Sequence, residues 1–177
     1  MPEIPDVPWK EGSLYGVLAY IVGLVFTGLW FFFDHVQTLI AARTTTQEAI
    51  GLAIALFYNA QSVRVDGTNY LISYGVIHDF LTPLVYQAIP IVVLFGIGAL
   101  LVYSELDLSG RLDALVSGAS IFVGYLALSL VVTVSLNFLL DVGFPLGRVA
   151  LSGLAYPIVL GGVGGLVANE VKTYLES

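Results

Sequence analysis

LYGVLAYIVGLVFTGLWFFF, residues 14–33, runs for twenty positions without a charge. An α-helix rises about 1.5 Å per residue, so such a run reaches about 30 Å, the thickness of a bilayer's hydrocarbon core. It closes on Trp30-Phe31-Phe32-Phe33 and then Asp34-His35. Aromatic rings followed by a charge are how a helix leaves a bilayer. Three more apolar runs follow, at residues 83–103, 112–140 and 149–167. The expected fold is all-α: a four-transmembrane-helix bundle, one membrane domain over residues 14–168.

Composition points the same way. Hydrophobic residues make up 58% of the 177 and charged residues 11%. Mean hydropathy is +0.92. A soluble domain carries about 25% charged residues. There is too little polar surface here to cover a water-soluble globule, so the excess apolar surface faces lipid. The lipid bilayer is the first expected partner.

Charge and cysteine content exclude several functions. Net charge is −7, from 13 acids and 6 bases. Phosphate backbones need clustered Lys and Arg, so no nucleic-acid partner is expected. The acidic balance suits a halophilic host, where salt screens self-repulsion. With no cysteine, disulfides, thiolate metal sites and cysteine nucleophiles are all ruled out.

Outside the spans, the head (residues 1–13) has prolines at 2, 5 and 8 and reads as extended. Its acids outnumber its one lysine, unlike the basic start of a secretory signal. Residues 34–82 form a long loop. Thr46 is placed to cap a short helix over about 47–60, too short to span and expected to lie in the interface or to cover the bundle on its outer side. Val63-Arg64-Val65-Asp66-Gly67-Thr68 reads as a hairpin turn. Pro90 falls inside the second span and should kink it. Span three, at 29 residues, would reach about 43 Å and must tilt or protrude. A polar tail covers 169–177. Lys10, Arg111 and Lys172 fall on one side, and Arg43, Arg64 and Arg148 on the other. Basic residues in short segments near span ends weigh most, which places both termini in the cytoplasm.

No Asp, Glu, Lys, Arg or His interrupts the interior of a span. Proton relays need such groups, so a proton-coupled carrier is disfavoured, whereas a pore lined by hydroxyls and carbonyls stays open. Gln87 and Asn137 are the most polar span residues. Ser117, Ser120, Ser129, Thr133 and Ser135 form a hydroxyl stripe along span three. Such hydroxyls either bond their own helix and its neighbours or line a path.

Small residues recur at close-packing spacing: Gly161 and Gly165, Ala19 and Gly23, Ser120 and Gly124. They serve packing within the chain or contact with a second copy or another membrane protein. Asp34-His35 and His78-Asp79 frame the loop, and together would offer zinc two imidazoles and two carboxylates. Polar residues at helix ends are the plainer account. Motifs for nucleotide binding, zinc proteolysis and serine hydrolysis are missing, so no enzyme and no cofactor is expected.

Leu56-Phe57-Tyr58-Asn59-Ala60 and Gly153-Leu154-Ala155-Tyr156-Pro157, with the glycines that follow, resemble a family of haloarchaeal multi-pass membrane proteins. Some members are labelled transporters, without an assigned mechanism. The resemblance marks Phe57, Tyr58, Asn59, Tyr156 and Pro157 as positions of shared role. On physical grounds, the polar side chains of Tyr58-Asn59 are expected to dock the loop helix on the bundle, and Pro157, which lacks an N–H, to loosen span four. Two functions remain: a non-enzymatic subunit or scaffold acting through helix association, or a small transporter or channel component.

Overall fold

The computed structural model describes residues 7–41, 44–63, 83–105, 110–140 and 143–176. All of their regular structure is helical: α1 (Trp9–Ala41), α2 (Thr46–Ala60), α3 (Leu84–Glu105), α4 (Arg111–Ala119), α5 (Phe122–Leu140), α6 (Leu146–Tyr156), a π-helical turn (Pro157–Gly161) and α7 (Gly162–Glu176). Four stretches are long and apolar enough to cross a membrane: Trp9–Gln37, Leu84–Ser104, Arg111–Phe138 and Leu146–Leu175.

The head is less extended than its prolines suggest. Helix α1 starts at Trp9, because Pro8 needs no N–H there and its carbonyl accepts the Gly12 N–H at 2.8 Å. Span three is not one helix. Ser120 Oγ donates to Ser117 O at 2.6 Å, and the Ser120 N–H is shared between Val116 O and Ser117 O. That tightened turn separates α4 from α5. In span four, Pro157 has no N–H to continue the regular ladder, and the π-turn begins at that residue. Pro90, by contrast, sits inside an unbroken α3.

Helix α2 is capped by Thr45 rather than Thr46. Thr45 Oγ1 accepts the Glu48 N–H at 3.3 Å, and Glu48 Oε2 accepts the Thr45 N–H at 2.8 Å. This reciprocal capping box satisfies two donors that a helix start would otherwise leave open. At the other end, Ser62 adopts φ 62°. Its N–H donates to Asn59 O, and the Val63 N–H donates to Tyr58 O, both at 3.0 Å. This is a Schellman closure with serine where glycine is the usual residue.

The expected interfacial helix is buried by protein on every side over its second half. Leu56, Phe57, Tyr58, Asn59, Ala60 and Gln61 are all buried, while Thr45, Thr46, Glu48 and Ile50 are exposed. A helix lying on a surface buries one stripe only. The hairpin expected at 63–68 lies outside the described residues beyond Val63.

The chain forms two compact units. The first comprises Met1–Tyr20, Ile91–Ser129 and Gly153–Ser177. It is held by backbone-to-backbone packing. A Cβ on Gly161 would meet Gly118 O at 2.6 Å, and one on Gly165 would meet Ala114 O at 2.5 Å. Only glycine allows α4 this close to the π-turn and α7. Gly124 packs on Ser13, and Ser120 on Gly12. Val102, Ala114 and Ala168 form the apolar centre. The rings of Tyr20 and Tyr125 meet edge-on at 5.3 Å.

The second unit comprises Ile21–Pro90 and Leu130–Ser152. Its core joins Phe31 and Leu39 of α1, Ala49, Ala53, Leu56 and Ala60 of α2, and Tyr86 of α3. The alanines let α2 lie close, and the two rings fill the space between.

Candidate functional site

A buried polar group lies in the second unit, where α2 meets α5. Thr133 Oγ1 donates to Tyr58 Oη at 3.0 Å, and both residues are buried. The Tyr58 ring stands edge-on to Phe144 at 5.6 Å. Phe144 is itself held by Asn137: its N–H donates to Asn137 Oδ1 at 2.8 Å, and its carbonyl accepts from Nδ2 at 3.2 Å. Asn137 thus acts as a clamp on the connection leading into α6. Tyr58, Thr133, Asn137 and Phe144 fasten α2, α5 and that connection together.

Asn59 takes no part in this docking. Its Nδ2 donates to Ala55 O of its own helix at 3.0 Å. Gln61 does likewise toward Phe57 O at 3.3 Å. The Tyr58-Asn59 pair therefore divides its work, with one side chain crossing to α5 and the other finishing α2. At the end of α2 the Phe57, Tyr58 and Asn59 carbonyls accept from Gln61, Val63 and Ser62.

The hydroxyl stripe is similarly spent. Ser129 Oγ donates to Leu126 O at 2.9 Å, and Ser135 Oγ to Val131 O at 2.9 Å. Ser117 is buried beside the turn that Ser120 closes. Gln87 is half-buried on the first turn of α3, and Tyr156 is half-buried just before the π-turn. Pro157 is buried. Thr27, buried on α1, has no hydrogen-bond partner for its hydroxyl among the described residues.

A second polar group joins α1 to α3 in the same unit. The Tyr86 hydroxyl donates to Asp34 Oδ2 at 3.4 Å, and His35 Nδ1 lies 3.5 Å from that oxygen. The His35 ring stacks on Phe31 with centroids 5.3 Å apart. Among the described residues His35 Nδ1 makes no hydrogen bond. Zinc sites take three or four protein ligands. Among the described residues no three His, Cys, Asp or Glu side chains come together, and His78 and Asp79 lie outside them.

Outside the apolar helices, Glu48 has its carboxyl held below the ordinary value of 4.5 by the Thr45 N–H and then the Thr45 hydroxyl. In the first unit Arg111 pairs with Glu170 through two N–H donors, Nε to Oε1 and Nη2 to Oε2, the latter at 3.2 Å. Both partners are exposed, and such a pair contributes little.

Several contributors have no counterpart in the sequence motifs. Thr133 was one hydroxyl among five, and nothing in the pattern singled out Tyr86 or Phe144. The Gly12–Gly16 pair, with its close-packing spacing, was a readable signal. A Cβ on Gly16 would overlap the Ile121 carbonyl and Tyr125 N.

Neither a curated protein nor a solved structure matches the chain. A family model does match, over residues 5–172, nearly the whole length. The chain belongs to that family, DUF7978, a family of unknown function.

Proposed function

We propose that the chain is an integral membrane protein that acts without catalysis, as a subunit or scaffold working through helix association. The membrane reading is supported by the outward faces of the long helices. Leu18, Val25 and Leu29 on α1, Val92 and Leu100 on α3, Val131 and Phe138 on α5, and Leu151 and Val159 further on are all exposed. A soluble protein rarely leaves contiguous apolar faces of that extent in water. The acidic composition supports a halophilic host.

The observation that carries the scaffold reading is how the polar side chains within the apolar helices are used. Ser129 and Ser135 bond their own helices, Thr133 bonds Tyr58, and Asn137 clamps Phe144. A conduction path needs such groups turned toward water or an ion. These are instead committed within the chain, the serines to their own helix and Thr133 and Asn137 to neighbouring segments, with glycines drawing backbones into contact.

Native mass spectrometry of protein extracted gently from its own membrane at high salt tests this reading. A stoichiometric foreign subunit, or a homo-oligomer, supports it. A lone monomer overturns it and brings forward the second reading, a small transporter or channel component. That reading draws support from the π-turn at Pro157, since interrupted helices recur where membrane proteins bind and move solutes. Liposome flux would then be the assay.

A further inference from the structure

Resting on the membrane reading, we propose that the lipid-facing surface of α1 is bounded at Trp9 and Trp30, whose rings sit in the two headgroup layers. The last three turns of α1 then stand outside the bilayer and carry α2.

Trp9 and Trp30 are the only tryptophans in the chain. Both lie on one unbroken helix, and both are exposed, at 54% and 45%. They are 21 residues apart, which at about 1.5 Å per residue is about 32 Å. The hydrocarbon core is about 30 Å thick, and indoles concentrate at its two edges. Between them the outward positions are acyl-chain-like: Leu18, Ile21, Val25 and Leu29 are all exposed. Charge respects the same limits. Lys10 and Glu11 stand beside Trp9, and the next charged residue along the helix is Asp34, one turn past Trp30.

Residues 31–41 then extend about 16 Å beyond the upper edge. The structure covers one face of this emergent part, while Phe33, Val36 and Ile40 on its other faces stay exposed. Phe31 and Leu39 bury against Ala49, Ala53, Leu56 and Ala60 of α2. The exposed start of α2 carries the Thr45–Glu48 box, a charged feature suited to water and costly in lipid. Asp34 and His35 likewise fall outside the slab. The half-exposed Asp34 carboxylate accepts from Tyr86 there, at the level where α3 begins.

The unmodified protein supplies the test, since its two indoles are the only tryptophan fluorophores. It is reconstituted in phosphatidylcholine–phosphatidylglycerol vesicles whose chains are brominated either near the glycerol or near the methyl end. The expected result is stronger quenching by the shallow bromines for the wild type and for Trp9→Phe, which isolates Trp30. Stronger quenching by the deep bromines in either protein overturns the proposed edges. Absence of quenching by both lipids removes the membrane reading itself, a different failure. A second measurement uses the lack of cysteine. Spin labels at Ile21→Cys and Ile40→Cys should report oxygen access and aqueous-reagent access respectively. A lipid-deep signal at position 40 means that α1 lies in the bilayer along its whole length, and the proposal falls.

Discussion

Replacing Gly165 by alanine adds one methyl group where α4 and α7 of the first unit cross backbone to backbone. That methyl would lie 2.5 Å from Ala114 O, 2.9 Å from Val102 Cγ2 and 3.0 Å from Gly118 Cα. Ordinary contact begins near 3.4 Å. The Val102 methyl can rotate aside. Ala114 O and Gly118 Cα are backbone of α4, so α4 must retreat by roughly 1 Å and give up its contact with α7. Overpacking of this kind costs about 1–3 kcal/mol. Alanine returns up to about 1 kcal/mol through its better helix propensity, leaving a net loss of about 1–2 kcal/mol. Gly96→Ala is the matched control, for it sits in α3 with nothing within 4 Å of the new methyl. It keeps the propensity gain of about 0.5–1 kcal/mol and incurs no clash. At about 2–4 °C per kcal/mol for a chain of this size, the two variants should melt about 5–10 °C apart, Gly96→Ala above wild type and Gly165→Ala below. Thermal unfolding followed by helical circular dichroism in one detergent reads the difference. If Gly165→Ala melts with or above Gly96→Ala, α4 and α7 do not touch through backbone, and the close-packing account is wrong.

Three further perturbations follow from the second unit. Tyr58→Phe should destabilise by about 1–2 kcal/mol because it leaves the buried Thr133 hydroxyl without its partner; Thr133→Val added to it should cost less than the sum, and simple additivity in the double-mutant cycle would refute the bond. Ser62→Gly should raise the melting temperature by the equivalent of about 1 kcal/mol, since glycine adopts φ 62° without the penalty of a side chain; an unchanged or lower value would place Ser62 outside the left-handed region. Glu48 has its carboxyl depressed in the folded state, so its contribution is present above the ordinary value of 4.5 and is lost as pH falls through the folded value; a melt series from neutral pH to pH 3 should show a loss in wild type that Glu48→Gln flattens, and parallel curves would deny the capping box its role.

The long apolar helices were legible because their signal is one of sum and length. A run of twenty uncharged residues survives any error in local detail, and α1 needed only its ends corrected. The corrected details are those where one side chain outweighs propensity. Ser120 breaks span three by taking the Ser117 carbonyl, which no hydropathy window registers. Trp9 starts α1 five residues before the apolar run because Pro8 is harmless at the residue before a helix and disruptive only inside one. Thr45 rather than Thr46 caps α2 because the box also requires a carboxylate three residues on, and Glu48 is three residues from Thr45.

The candidate site was legible only in part, and the reason is the range of the interaction. Asn59 and Gln61 bond carbonyls four residues away, a pattern that local sequence carries. Tyr58 bonds Thr133, 75 positions along the chain, and one sequence holds nothing that pairs those two over the other four hydroxyls of the stripe.

The burial of α2 has the same origin. Its apolar residues occupy more than one stripe, with Leu56-Phe57-Tyr58 consecutive. A helix resting on a bilayer needs only one apolar face, so three adjacent bulky side chains imply cover on several sides. The length of α2, too short to span, excludes lipid as that cover. Protein is what remains, and Phe31, Leu39, Tyr86 and Phe144 supply it. The two facts together, too short to cross and apolar on more than one side in its second half, are therefore a sequence signature for a helix held within the chain's own packing, and Tyr58, through Thr133 and Phe144, is one residue through which that packing closes.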